Sequence, residues 1–265
     1  MKRRLLTIII NISMIMSLGL TFTFAESQPT HIETVAQLKE ALRNDLSTVQ
    51  KTALLDNTKE EVVAEFMEEK LDKAAEIING QNFEADMQMM PDGSAYGTQE
   101  FYLGDDCVMT VELSDCAQNQ AKNNFALESR ASSDSNELWR GYGNRSFTAK
   151  TSVSVGGTTA NMNLTNNYKL SANGIDEESG DAFCSWNLAK GQITHGIPDI
   201  TDGVARTPGA SDVNMHCMYT LSRLGSNGIV SKTKYKLNTT IGYVAINKTE
   251  KKIKVRQSWS LSKVS

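Results

Sequence analysis

Lys252-Ile253-Lys254-Val255-Arg256-Gln257-Ser258-Trp259-Ser260-Leu261 alternates large apolar side chains with polar ones at every second position. Successive side chains of an extended chain point to opposite faces. Ile253, Val255, Trp259 and Leu261 therefore share a buried face, and Lys252, Lys254 and Arg256 share a wet one. The preceding segment, 234–246, repeats the rule with Leu237, Ile241 and Tyr243.

Working back from this pair, further strands are expected at 99–103 and 107–113 around the turn Gly104-Asp105-Asp106. Others follow at 146–155, at 160–170 after Gly156-Gly157, at 182–188 and at 213–221. Short strands separated by Gly, Asn and Ser turns, with no helices between them, define an antiparallel β-sandwich or open barrel. Residues 115–137 are polar and read as a mobile connection, and Asp176, Glu177, Glu178 and Asp181 beside Gly174 and Gly180 as a polar turn.

The first third of the chain has a different period. Ile32, Val35, Leu38, Leu42, Leu46, Val49 and Ala53 recur at three- and four-residue steps, which places them on one helical face behind a capping box of Thr30 and Glu33. A second helix is expected from the box Thr58/Glu61 through Val62, Phe66, Leu71, Ala74, Ile77 and Ile78 to a stop at Asn79-Gly80. Glu65, Glu68, Glu69, Lys70 and Lys73 read as its solvated face. Before these helices, Lys2, Arg3 and Arg4, an apolar run from Leu5 to Phe24 and the small residue Ala25 have the order of an export signal. The expected organisation is a signal peptide at 1–25, a helical hairpin at 26–80 and a β-sandwich at 82–265, mainly β overall, with no stable membrane span once the signal is removed.

Three strings stand out in the β region: Tyr102-Leu103-Gly104-Asp105-Asp106-Cys107, Leu138-Trp139-Arg140-Gly141-Tyr142-Gly143-Asn144-Arg145-Ser146-Phe147-Thr148-Ala149, and Asn167-Tyr168-Lys169-Leu170-Ser171. Together they resemble a family of exported Gram-positive proteins of unknown function, over roughly residues 96–265. The resemblance implies a compartment outside the cell and an all-β fold. Its motifs are turn and strand signatures, and it supplies no site residues.

Charge narrows the partners. The 265-residue chain has 27 basic side chains, which fall to 24 without the three of the signal, against 31 acidic ones, so 24 − 31 gives a formal charge of −7. Such a chain is not a general nucleic-acid binder. The charge is unevenly spread: residues 31–80 hold 11 acids and 6 bases, whereas 232–263 hold 9 bases and one acid, Glu250. The stripe Lys252, Lys254, Arg256, which Lys234 and Lys236 of the preceding strand can join, is a candidate binding face for an anionic cell-wall polymer or an acidic protein surface. The competing reading is that its lysines blunt an exposed sheet edge. Trp139 and Tyr142, flanked by Arg140 and Arg145 in a Gly-rich segment, are the best exposed candidates for stacking against a sugar. Trp186, Tyr243 and Trp259 read as core.

Four cysteines in an exported chain point to disulfides, with three possible pairings. Cys184–Cys217 is preferred, because both residues lie in strand-like runs that can sit side by side. Cys107–Cys116 is harder to close, since nine residues of strand at ~3.3 Å each set the sulfurs about 30 Å apart. Ligand spacings for a metal are absent from the sequence, and no cofactor is implied. No Gly-x-Ser-x-Gly elbow accompanies His195, Asp199 and Asp202, and His216 and Cys217 face opposite ways in a strand. The loop that carries Asp199, Asp202 and Asp212 lacks the twelve-residue calcium pattern.

The function expected from these readings is an exported, non-catalytic binding or cell-surface-associated protein, secreted or loosely held at the wall. Two alternatives stand beside it. One is a secreted hydrolase using converging carboxylates; the other is a secreted toxin, antimicrobial or immunity partner whose helical hairpin masks or docks.

Overall fold

The apolar positions that open the sequence reading are buried as expected, Ile253, Val255, Trp259 and Leu261 on one strand and Leu237, Ile241 and Tyr243 on the other, but Ser258 and Ser260 on the face expected to be wet are buried too. The structure is a computed structural model that describes residues 32–118 and 137–264. The expected export signal, His31 and the Thr30 cap lie outside the described residues. From Glu33 to the carboxyl end the chain forms one unit.

Among the described residues there are two antiparallel sheets of seven strands each. Sheet I contains β1 (Phe83–Glu84), β5 (Glu137–Gly141), β9 (Gly191–His195), β10 (Asp199–Asp202), β12 (Ser211–Gly225), β13 (Gly228–Asn247) and β14 (Lys252–Val264). Sheet II runs in the order β11 (Val204–Ala205), β8 (Gly174–Trp186), β7 (Thr158–Ser171), β6 (Gly143–Val155), β4 (Cys107–Ala117), β3 (Ala95–Gly104) and β2 (Gln88–Met89). The inner faces meet through side chains such as Trp259, whose Nε1 donates to Gln99 Oε1 at 2.7 Å, and around a Phe83–Phe101–Trp259 aromatic cluster. This is the expected sandwich. Its long strands lie where strands were read, except that β8 begins at Gly174, within the stretch read as a polar turn, and its short strands β1, β2, β5, β9, β10 and β11 have too few residues to show a period.

Among the described residues three helices precede the sheets: α1 (Val35–Leu42), α2 (Thr48–Asp56) and α3 (Glu60–Ile78). The expected first helix is split in two, because Ser47 starts a new helix, accepting from the backbone of Gln50 while the Gln50 side chain returns to the Ser47 backbone. Thr34 and Gln37 form the same reciprocal cap on α1. The expected Thr58/Glu61 box is not made: Lys59 is the N-cap, and the Thr58 hydroxyl donates to Leu54 O. Asn79 ends α3 in the left-handed conformation at φ 48°, as the Asn-Gly stop predicts.

Helix α3 is docked between the ends of both sheets, which corrects the solvated-face reading. Lys70, only 3% exposed, donates from Nζ to Leu103 O (3.1 Å), Gly104 O (2.9 Å) and Asp105 Oδ2 (2.8 Å) at the β3–β4 turn of sheet II. On its sheet I side, Glu68 accepts from Ser231 and Thr233, and Asp72 accepts from Tyr235 Oη and Lys263. Burial works against the Asp105 charge, but Lys70 and Arg43 overcome it and hold the carboxyl below its ordinary range. Acids and bases of this helix thus tie the two layers together at one end.

Candidate functional site

Lys252, Lys254 and Arg256 do share the outer face of β14, and each has an acidic partner: Lys252 pairs with Glu250 at 2.9 Å, Lys254 with Glu137 at 2.6 Å and Arg256 with Glu84 at 3.8 Å. The stripe is neutralised along its length. Nor does it protect an edge, since β14 is flanked by β13 on one side and by β5 and β1 on the other. Lys234 and Lys236 do not join it. They lie opposite Val264 and Ser262 on β14, and the six residues from Ser262 back to Arg256 amount to about 20 Å of strand.

Lys234 and Lys236 instead belong to a second column. Lys232, Lys234 and Lys236 alternate on the outer face of β13, while Thr233 and Tyr235 point inward to the acids of α3. Among the described residues none of the three lysines has an ion-pair partner. Their cross-strand neighbours on β12 are Ser222, Thr220 and Met218. His216, next on that face, is kept below its ordinary pKa by partial burial and by the charge of Lys236, with Asp199 at 3.7 Å opposing. Lys234 and Lys236 sit mid-sheet, paired with both β12 and β14, whereas Lys232 is paired with β12 alone.

Trp139 stands beside Lys254 on the outer face and is 44% exposed. Tyr142 is half-buried, with its hydroxyl enclosed and unpartnered, so the two do not form one stacking surface. Trp259 and Tyr243 are core, as expected, and Trp186 is half-buried. Arg140 and Arg145, read as flanks of an exposed segment, are buried. Both meet Asp115, which lies on β4 and not in the connection expected from residue 115 onward; residues 119–136 of that connection lie outside the described residues.

All four cysteines are free thiols. The preferred Cys184–Cys217 bridge is corrected: β8 and β12 belong to different sheets and do not run side by side. The Cys184 thiol is turned to Ile193 O at 3.3 Å and the Cys217 thiol to Gly196 O at 3.5 Å. Cys107 and Cys116 sit at the two ends of β4 with continuous strand between them, so that pair stays open as well. As expected, Cys217 points inward and His216 outward. His195 is exposed, and its Nδ1 lies 2.9 Å from Gly196 O.

The acidic residues 176–178 are in β8 rather than a turn, and Asp199 and Asp202 bound the edge strand β10. Glu177 is the one acid among them that turns inward, and both its carboxyl oxygens are enclosed without a hydrogen-bond partner. Burial, with a smaller contribution from the charge of Asp202, pushes its pKa up to about 7. Among the described residues no His, Cys, Asp or Glu side chains gather in a set that could hold a metal ion, and no helix is long and apolar enough to cross a membrane. Comparison with protein-family models, with curated proteins and with solved structures finds no match for this chain.

Proposed function

We propose that the protein is an exported, non-catalytic binding module that holds an anionic cell-wall polymer against the outer face of sheet I. The observation that carries this reading is the column Lys232, Lys234 and Lys236, three cations on one strand face with no acid paired to them among the described residues. Same-face neighbours on a strand are about 6.6 Å apart, so the column presents a linear row of charge to a repeating polyanion. Thr220 adds a hydroxyl beside it. The export half of the proposal comes from the signal-like residues 1–25. Because the whole chain is acidic, attraction is local and acts within about a Debye length, 8–10 Å at ordinary ionic strength. Binding is therefore expected to be modest and strongly salt-dependent.

Retention on immobilised anionic wall polymer, with a neutral polysaccharide as control, tests the reading. The variant Lys232→Gln/Lys234→Gln/Lys236→Gln should lose retention and most of its salt dependence. Lys252→Ala/Lys254→Ala/Arg256→Ala should lose little, because that stripe is already neutralised. Equal retention by the first variant and the parent chain would reject the proposal.

A second reading, a hydrolase with converging carboxylates, draws on Glu177 and Asp202. A carboxyl that keeps its proton to about pH 7 beside a second acid has the disposition of a general acid and its partner. It predicts turnover of a glycan that falls as pH rises through 7 and disappears in both Glu177→Gln and Asp202→Asn. Activity intact in either variant removes it.

A further inference from the structure

A long strand at the margin of sheet II is left without a neighbour. β8 pairs with β7 from end to end, but on its other side only Val204 and Ala205 of β11 reach Asp176 and Ile175, and Glu177 N–H donates to Gly203 O. Among the described residues no strand lies against β8 from Glu178 to Trp186. The other margins are short or covered. β1, β5, β9 and β10 at the flanks of sheet I have two to five residues. β3, at the far side of sheet II, is covered by β2 at Ala95 and Tyr96, by Asp86 O packed against Gly97, by Glu84 O accepting from Gln99 Nε2, and by Lys70 and Lys73 at Leu103 O.

The direction of the free backbone groups follows from the ladder. Asn187 N–H donates to Thr159 O of β7, and antiparallel pairing alternates along a strand. Asp181, Phe183 and Ser185 therefore bond to β7, while Gly180, Ala182, Cys184 and Trp186 turn their N–H and C=O groups to the empty side. The side chains of this second set point inward. Met215 and Pro198 press on Gly180, and the Trp186 ring lies on Gly191, so the edge is anchored from beneath. Its rim is wet: no residue from Asp176 to Trp186 is fully buried, whereas every second residue of β7 is.

A row of unpaired donors and acceptors is a template for another strand, and natural edges are blunted with proline, lysine or a covering segment. The stretch Glu178–Trp186 contains neither proline nor lysine. At its centre stands Phe183, 61% exposed on the outer face beside Asn163.

We propose that β8 pairs with β8 of a second copy of this chain, antiparallel about a two-fold axis at Phe183, which joins the two copies of sheet II into one continuous sheet. The four free residues are symmetric about that position. Gly180 exchanges hydrogen bonds with Trp186 of the second copy and Ala182 with Cys184, and the axis repeats each exchange. Phe183 meets its own counterpart in the narrow, non-hydrogen-bonded kind of pair, an arrangement in which aromatic side chains stabilise antiparallel strands. Asp181 falls opposite Ser185, whose Oγ accepts from Asn161 and keeps its proton to donate, so the central carboxylates do not face one another. An open stretch whose free backbone groups and exposed aromatic ring are centred on one residue is complementary to itself, which favours a second copy over an unrelated strand. The interface does not use the lysine column of sheet I.

Sedimentation equilibrium of the full chain across micromolar concentrations tests the proposal, and a reversible monomer–dimer equilibrium is expected. Ala182→Pro removes an N–H that faces the empty side and leaves the ladder to β7 intact. Phe183→Asp sets two carboxylates face to face. Each should weaken dimerisation by about tenfold or more. A covalent trap reads the register. In Phe183→Cys the two new thiols stand on Cα atoms about 4.5 Å apart, close enough to bridge, so mild oxidation should give a dimer linked through position 183 in peptide mass maps. Asp181→Cys, four residues out of register with its own counterpart, should give none at 181. A parent chain that stays monomeric throughout overturns the proposal. So does dimerisation that persists unweakened in both Ala182→Pro and Phe183→Asp, or a bridge that forms through 181 and not through 183.

Discussion

Asp115 Oδ2 lies 2.7 Å from Nε of Arg140, although Asp115 stands near the end of β4 in sheet II and Arg140 on β5 in sheet I. The contact crosses the interior of the sandwich, and Arg145 completes it from β6. Asp115→Asn keeps the shape and removes the carboxylate that pairs with both buried guanidiniums. The expected cost is about 3–5 kcal/mol, the range for breaking a buried pair by removing one partner. Urea unfolding should report it as a lower midpoint at unchanged slope. The double variant Asp115→Asn/Arg140→Met should be less destabilised than the two singles summed, since each single leaves a charge or acceptor that the double does not. A loss below about 1 kcal/mol for the single variant contradicts a water-free cluster.

Docking of the helices rests on Lys70. Lys70→Met keeps an apolar side chain of similar length and deletes the ammonium, which lies 5.0 Å from the Phe66 ring centroid and is shared by Leu103 O, Gly104 O and Asp105. Lys73 still reaches Leu103 O, so Gly104 O and the Asp105 carboxylate bear the loss. About 2–4 kcal/mol should be lost, and α3 should become sensitive to limited proteolysis before the sheets unfold. An unchanged cleavage pattern in the variant contradicts the bridging role given to this helix.

The thiols give a direct chemical test. Denatured without reductant, the chain should take up alkylating reagent at all four cysteines, as intact mass reports. A chain that resists at two positions contains a bridge. In the native state Cys107 should be the last to react, because burial lifts its pKa to about 12 and starves it of thiolate at neutral pH.

Much of this fold is written in period and punctuation. Alternation located β12, β13 and β14, and Asn79-Gly80 and Gly104-Asp105-Asp106 marked real turns, the two aspartates adopting φ of 52° and 56°. What escaped depends on distances between segments. Nothing local to Lys254 announces that Glu137 will neutralise it, and nothing local to Lys232 announces that no acid will. Arg140 looked exposed because glycines and aromatics surround it in sequence, yet its pairing opposite buried Ile253 turns it inward. Asp115 carried a usable signal: it continues the inward phase of Met109, Val111 and Leu113, which makes a lone acid at that position a buried one. Reading polar composition over 115–137 as one connection hid that phase. The same preference for composition over period turned the start of β8 into a loop.

Glu177 sets a pH dependence whose sign follows from its raised pKa. Below about pH 4.5, its ordinary value, the carboxyl is protonated in folded and unfolded chains alike, and burial costs it no charge. Between 4.5 and about 7 the unfolded chain has lost the proton while the folded chain keeps it, so the native state binds more protons and stability falls as pH rises. Above 7 both are ionised and the full penalty is in place, on the order of 2 kcal/mol once partial solvent access is allowed for. Glu177→Gln removes the titrating group. The variant should match the parent chain near pH 4.5 and exceed it at pH 8, with the gap opening across that window. Asp202→Asn should reproduce a smaller part of the gap, because Asp202 is the lesser of the two causes. Urea midpoints of the three chains at pH 4.5, 6 and 8 settle the matter, and a parent-to-variant difference that stays constant across the series contradicts the assignment of this slope to Glu177.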